Sequence, residues 1–136
     1  MLATIGLSFG GLGALYLTGV LGIGSNASAE TLVCQSVRII DGDTFDCGSI
    51  RIRMQGIDSP EMPGHCRPGR ECTPGEPYAS TANLRRLTAA GNVQCRKTDV
   101  DAYGRTVARC TAGKADLSCA QIEGGFAVRR YGMIWC

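Results

Sequence analysis

Charge is absent from the N-terminal segment of this sequence. The first 29 residues contain no Asp, Glu, Lys or Arg, and every formal charge lies from Glu30 onward. Residues 2–23 form an apolar, glycine-rich run, and Ala27-Ser28-Ala29 has the small-x-small pattern of a signal-peptidase site. We therefore predict that residues 1–29 are a cleaved signal peptide, although its usual basic start is missing.

Two other interpretations of this segment stay open. An apolar run of about 20 residues is long enough to span a bilayer as an uncleaved anchor, and a buried core helix would also be uncharged. The signal peptide and the anchor both export the remainder, residues 30–136, as one domain. We therefore expect a periplasmic or secreted protein, tethered to the membrane through residues 2–23 if the segment is retained. Nothing implies a protein partner, and we expect a monomer.

Closely spaced cysteine pairs are absent as well. No two of the eight cysteines have C-x2-C spacing and His65 is the only histidine, which argues against zinc. A zinc site at His65, Cys66 and Cys72 remains the alternative. An even number of cysteines in an exported chain indicates a disulfide framework, and a domain this short benefits from such cross-links.

Net charge and aromatic side chains are both scarce. A formal charge of +2 is too small to indicate a nucleic-acid-binding protein by itself, and aromatic residues make up only 6% of the chain. Any function must therefore be inferred from local motifs.

From Thr31 onward the pattern is β-rich. Asp41-Gly42 is a hairpin-turn dipeptide, and residues 50–54 alternate apolar and basic side chains. Residues 62–77 hold four prolines and three glycines, which predicts a loop. The predicted elements are strands at residues 32–40, from 45, 50–54, from 93 and 105–110, and helices at residues 78–90 and 116–124. This order is compatible with a mainly β, α+β fold, a five-stranded OB-type barrel with two to three helices.

Three short segments concentrate the acidic and basic side chains. They are residues 41–44, 53–61 and 99–105. Turn chemistry explains the first segment when it is taken alone, and the acidic spacing of an EF-hand loop is absent. In the second segment, Pro60 pushes Ser59 toward an extended conformation and so fixes the directions of the flanking carboxylates.

Together the three segments resemble the staphylococcal nuclease family. The matching motifs are IDGDTF at residues 40–45, IRMQGIDSPE at residues 52–61 and DAYGRTVA at residues 101–108, in the family's order. The resemblance covers about residues 34–131. It implies an OB barrel with helices and a calcium-dependent nuclease that hydrolyses phosphodiester bonds of DNA or RNA.

The resemblance also implies a metal site. The carboxylates of Asp43 and Asp58 and the backbone carbonyl of Ser59 correspond to calcium ligands. Calcium takes six to eight oxygen ligands, so this set would leave about half of the coordination shell for water and a phosphate oxygen.

The catalytic side chains implied by the resemblance are two arginines and one glutamate. Arg53 and Arg105 correspond to residues that bind the scissile phosphate, and Glu61 to a general base. Tyr103 and Tyr131 lie where the family has substrate-binding tyrosines.

The loop at residues 62–77 departs from the lysine-rich stretch of the family. Arg67 and Arg70 in this loop could still contact the substrate, but we expect them to be solvated loop charges. Many disulfide connectivities are open to eight cysteines. The expected set is Cys95–Cys110 across the last two strands, Cys66–Cys72 in the loop, Cys34–Cys47 and Cys119–Cys136.

Two functions of other classes compete with the nuclease. A non-catalytic OB module would bind nucleic acid through aromatic platforms and a basic groove, whereas here the motifs place acids near arginines. A disulfide-stapled structural module would explain the cysteines but gives no reason for the three acidic and basic motifs.

Overall fold

The computed structural model describes residues 30–136, so the predicted signal peptide or anchor lies outside the described residues. No helix in this part of the chain is both long enough and apolar enough to cross a bilayer. The helices are α1 (Pro77–Ala89) and α2 (Leu117–Glu123). The strands are β1 (Thr31–Val33), β2 (Val37–Ile39), β3 (Thr44–Cys47), β4 (Ile50–Met54), β5 (Ile57–Asp58), β6 (Val93–Val100), β7 (Thr106–Ala112), β8 (Ala115–Asp116) and β9 (Val128–Arg129).

One sheet organises the described residues. Its strand order is β1-β6-β7-β4-β3-β2, with β8 beside β7, while β5 and β9 form a separate ribbon. All neighbours are antiparallel except β4 and β7, which run parallel because α1 and β6 lie between them in the chain. This parallel pairing places Thr106, the first residue after the turn between β6 and β7, beside Ile52 in the middle of β4.

The sequence correctly predicts the meander of β2, β3 and β4 and both helices. The mixed α+β class is confirmed. The predicted first strand is two strands, because residues 34–36 change partners. Cys34 N–H donates to Val93 O in one direction, and Ser36 O accepts from Gly48 N–H in the other. No ladder joins β1 to β2 within residues 30–136, so a closed five-stranded barrel stays a prediction.

The core lies between the sheet and the two helices. All eight cysteines form disulfides, so none is left to bind zinc. The pairs are the expected ones: Cys34–Cys47, Cys66–Cys72, Cys95–Cys110 and Cys119–Cys136. The largest fully buried apolar side chains are Phe45, Ile52, Met54, Ile57, Leu84 and Leu117.

A buried polar network joins the two helices to the turn between β2 and β3. The fully buried Gln121 amide donates to Gly42 O at 2.7 Å and to Ser80 O at 3.0 Å. Asn83 Nδ2 donates to Gln121 Oε1 at 2.6 Å, and Ser80 Oγ donates to Phe126 O at 2.7 Å. Every polar group of the Gln121 side chain is therefore bonded, and the turn is fixed against the helices.

Gly42 allows this close approach. A Cβ atom at this position would lie 1.8 Å from Ser80 Oγ and 2.8 Å from Ser59 Cβ. Because Ser80 Oγ is held by its hydrogen bond to Phe126 O and Ser59 is buried, a larger residue would push the turn away from the helices.

We predict that Gln121→Leu lowers the free energy of unfolding by about 2–3 kcal/mol, because it leaves the buried Gly42 carbonyl without its side-chain donor and the Asn83 amide without its acceptor. Denaturant titration of the chelator-treated protein measures this change. Gln94→Leu is the matched control, since Gln94 is exposed on β6, and it should change stability by less than about 0.5 kcal/mol. Equal stabilities of the two variants would contradict the network's role.

Candidate active site

A cavity of about 650 Å³ lies at the end of β4, between the loop after β5 and the turn joining β6 to β7. Seven of the eight predicted site residues line it; Ser59 does not. The seven are Asp43, Arg53, Asp58, Glu61, Tyr103, Arg105 and Tyr131.

Arg53 connects the two aspartates at the floor of this cavity. A single guanidinium nitrogen, Nη2, lies 3.3 Å from Asp43 Oδ2 and 3.2 Å from Asp58 Oδ1. Nη1 donates to the backbone carbonyl of Met54 at 2.9 Å. All three charged side chains are buried. A buried charge needs such partners, so the pairing fixes where each carboxylate points.

Asp43 is ionised in this arrangement. Its carboxylate accepts hydrogen bonds from Ser59 N–H at 2.8 Å and from Thr44 Oγ1 at 2.8 Å. Burial would raise the pKa of Asp43, but the Arg53 guanidinium and these hydrogen bonds outweigh it and hold the pKa below its ordinary value. Ser59 thus contacts the site through its N–H, and the ligand role of its carbonyl stays a prediction.

Asp58 is the most heavily bonded carboxylate. Besides the Arg53 contact, its Oδ2 atom accepts from Arg70 at 2.8 Å, Thr73 at 2.8 Å and Arg130 at 3.0 Å. Arg70 Nη2 also lies 3.0 Å from Glu61 Oε1. Three guanidiniums therefore surround one carboxylate, and one of them also reaches the predicted base.

Arg105 lies on the opposite wall. Its Nε donates to Asp101 Oδ2 at 2.6 Å, and its backbone N–H donates to Asp101 Oδ1 at 2.9 Å. Burial would raise the pKa of Asp101, but the hydrogen bonds from Arg105 and Tyr103 lower it below its ordinary value. The Tyr103 ring lies 5.3 Å from the Arg105 guanidinium carbon. The turn therefore orients Arg105 without using its Nη atoms.

Tyr131 reaches the cavity from the end of the chain that follows β9. It is the one non-glycine residue of the described chain with a positive φ, 59°. Its ring centroid lies 5.9 Å from the guanidinium carbon of Arg53. Such a backbone conformation is disfavoured for a bulky side chain, and it coincides with the placement of this ring at the cavity.

The model of the staphylococcal nuclease homologue family matches residues 51–134, which is more than half of the chain. The chain belongs to the staphylococcal nuclease family. Seven of the predicted site residues fall inside the matched range, and Asp43 precedes it.

Two curated relatives are similar to this chain. Succinoglycan biosynthesis protein ExoI of Rhizobium meliloti is 32% identical over 106 residues, which cover 76% of this chain and 54% of that protein. Micrococcal nuclease of Shigella flexneri is 38% identical over 77 residues, which cover 52% of this chain and 37% of that protein. The chain therefore spans about half of the length of these relatives, or less.

The staphylococcal nuclease family generally depends on calcium, and the donor set here fits such a cation. Calcium binds carboxylate and carbonyl oxygens, and one oxygen each of Asp43 and Asp58 already converges on one positively charged nitrogen. Within residues 30–136 no three His, Cys, Asp or Glu side chains form a metal-holding group. Any calcium would therefore need further oxygens from backbone, water or substrate.

Sequence reasoning did not single out Asp41 as a site residue, and it left open whether Arg67 and Arg70, which are exposed, meet the substrate. Asp41 lines the cavity and accepts a hydrogen bond from Asp43 N–H at 3.0 Å. Arg67 and Arg70, expected to be solvated loop charges, line the same cavity. No local pattern marks their placement, because it depends on how the loop folds back over the site.

Asp41 is a carboxyl group with a raised pKa. Burial raises the pKa of Asp41, and the neighbouring Asp43 carboxylate raises it further, from 3.8 to about 7. In the calcium-free protein the neutral form of Asp41 is therefore favoured below neutral pH.

We predict that Asp41→Asn changes the pH dependence of stability. The stability contributed by the neutral Asp41 carboxyl is complete below its unfolded pKa of 3.8 and is lost as the pH rises through about 7. The variant stays neutral, so its stability relative to wild type should increase across this window. Urea titrations in chelator across the window measure the difference.

Asp46→Asn is the control of opposite sign. Hydrogen bonds from Arg51 lower the pKa of Asp46, so its stabilising effect is present above the ordinary pKa. This variant should lose stability toward neutral pH, and a parallel response of the two variants would contradict the assignment for Asp41.

Proposed function

We propose that this chain is an exported, calcium-dependent nuclease that hydrolyses phosphodiester bonds of DNA or RNA. One observation carries the proposal. Asp43 and Asp58 converge on the Arg53 guanidinium in a cavity that also contains Glu61 and Arg105. A hard cation, a base and two phosphate-binding groups are the components that metal-assisted phosphodiester hydrolysis needs.

The arginines bind the phosphate in this proposal. A guanidinium is planar and can hold two phosphate oxygens at once. Asp101 engages the Nε side of Arg105, which leaves its Nη atoms directed to the substrate. Arg53 lies between the two acids and therefore close to a cation that they share. Calcium bound there would act as a Lewis acid on a phosphate oxygen.

Glu61 accepts a proton from the attacking water. Its carboxylate lines the cavity beside Asp58, and its side chain retains 22% of its exposure, so water can reach it. A positioned base contributes about 10²–10⁴-fold to the rate. Arg70 at 3.0 Å holds the carboxylate in place.

The two tyrosines bind the nucleotide on either side of the phosphate. Tyr103 and Tyr131 are both exposed, at 66% and 65%, and both rings lie near arginines of the cavity. An exposed aromatic ring can contact a sugar or stack on a base regardless of sequence.

An OB-type barrel and export complete the proposal. The order β2-β3-β4-β7-β6-β1 would close into a barrel if β1 and β2 acted as halves of one strand. Four disulfides support an oxidising compartment. Residues 1–29 would direct the export.

We expect the chain without its first 29 residues to digest single-stranded and duplex DNA when calcium is present, and to stop when chelator is added. Glu61→Gln should lower the turnover number by about 10²-fold or more while nucleotide binding persists. Gel analysis and a binding assay with a labelled oligonucleotide measure the two quantities. Binding without calcium-dependent cleavage would instead identify a non-catalytic module.

We also predict that Arg53→Lys lowers the turnover number by about 10²–10³-fold, because the planar guanidinium is lost. Calcium affinity should stay within a few-fold, since the carboxylates remain. Steady-state kinetics and calorimetry measure the two effects.

Arg51→Lys is the matched control for this substitution. Arg51 lies on the same strand, but it pairs with Asp46 on the outer surface. Near-normal turnover of Arg53→Lys, or equal losses in the two variants, would refute the role of Arg53.

A further inference from the structure

The loop between β5 and α1 forms a third wall of the cavity. The disulfide Cys66–Cys72 closes it into a short ring. Arg67 and Arg70 lie inside this ring, and both line the cavity. The disulfide loop therefore adds two cationic side chains to the cavity, and both lie outside the three family motifs.

Arg70 keeps most of its donors free. Among the contacts of the described residues, its Nη2 atom alone is used, by Asp58 at 2.8 Å and Glu61 at 3.0 Å. A guanidinium has five N–H donors, and the Arg70 side chain is 35% exposed. Its remaining N–H groups can donate to a ligand oxygen without breaking either ion pair.

Arg67 has no carboxylate partner within residues 30–136. Its Nη1 atom donates to the Tyr103 hydroxyl at 2.7 Å, and its guanidinium carbon lies 5.1 Å from the centroid of that ring. Tyr103 thus contacts both arginines, since the guanidinium carbon of Arg105 lies 5.3 Å from the centroid of the same ring. The Tyr103 side chain therefore holds Arg67 at the cavity, where no carboxylate of the described residues forms an ion pair with its guanidinium.

The charge of the cavity also requires these two residues. Its lining contains six carboxylates and four guanidiniums, a formal balance of −2. Without the two loop arginines the balance would be −4, and a polyanion would be repelled more strongly. The loop therefore supplies half of the positive charge that faces a substrate.

We propose that Arg67 and Arg70 form a second phosphate-binding subsite, which holds a phosphate of the nucleic acid next to the scissile one. The inference rests on the proposed function, whose substrate it extends from one nucleotide to a strand. The disulfide preorganises the subsite, because it confines both arginines to the cavity edge before binding.

Salt dependence of binding gives the first test. A labelled single-stranded oligonucleotide is titrated into the protein in chelator, where no cleavage occurs, at several salt concentrations. Each lost phosphate contact should reduce the slope of log affinity against log salt by roughly 0.7 for a single strand. Arg67→Ala and Arg70→Ala should each show this reduction.

Arg85→Ala is the matched control, since Arg85 is exposed on α1 and does not line the cavity. It removes the same charge and should leave the slope unchanged. Slopes of Arg67→Ala and Arg70→Ala equal to that of wild type would overturn the subsite. So would an equal reduction in Arg85→Ala.

Substrate length gives the second test. With calcium, Arg67→Ala should raise KM for the oligonucleotide by about tenfold, the order expected for one charge-assisted hydrogen bond. It should leave KM unchanged for a dinucleotide with a single phosphodiester. A role of Arg67 in folding alone would change both substrates alike, which would refute the inference.

The double variant Cys66→Ser/Cys72→Ser tests the preorganisation. It should raise KM for the oligonucleotide and spare the dinucleotide, with the unfolding transition of the domain preserved. No change in KM would overturn the role of the disulfide. Failure of the wild-type chain to cleave either substrate, with the salt slopes as expected, would reject the proposed function and leave the subsite standing.

Discussion

The ion pairs of Arg53 with Asp43 and Asp58 are the constraint on which this structure depends. A buried guanidinium is costly unless carboxylates compensate it, and here the two carboxylates come from the end of the first hairpin and from the short strand after β4. The pairing therefore determines how these segments meet. It also brings one oxygen of each carboxylate close to the same nitrogen, so both carboxylates are near enough to share the proposed cation.

Rigidity around this point comes from polar contacts and cross-links more than from a large apolar core. Gln121 on α2 fixes the Asp41–Asp43 turn by a hydrogen bond to the Gly42 carbonyl. Asp101 fixes Arg105 on the opposite wall. A domain of this size buries a limited apolar surface, and four disulfides cross-link its loops and strands. These contacts and cross-links keep the closely spaced charged side chains of the site in fixed positions.

Electrostatics links the acids of the cavity to one another. Arg53 keeps Asp43 ionised, while burial and the Asp43 charge drive Asp41 toward its neutral form. Asp58 is surrounded by Arg53, Arg70 and Arg130. Each carboxylate thus has a different environment although the side chains are chemically alike, and such divergence is typical of functional sites.

The sequence by itself determined the class of the fold, both helices and the β2–β3–β4 meander, whereas it left the disulfide pairs as one expected set among many. It also marked the motif residues now found at one cavity. These features depend on local pattern and on short-range pairing, which a single sequence records. The tertiary structure alone decided that the first strand splits between two edges of the sheet, that Arg70 and Arg130 reach Asp58, and that Arg67 lines the same cavity. Those outcomes depend on where the chain returns in space, because ion pairs between residues such as Asp58 and Arg130 leave no mark on local periodicity.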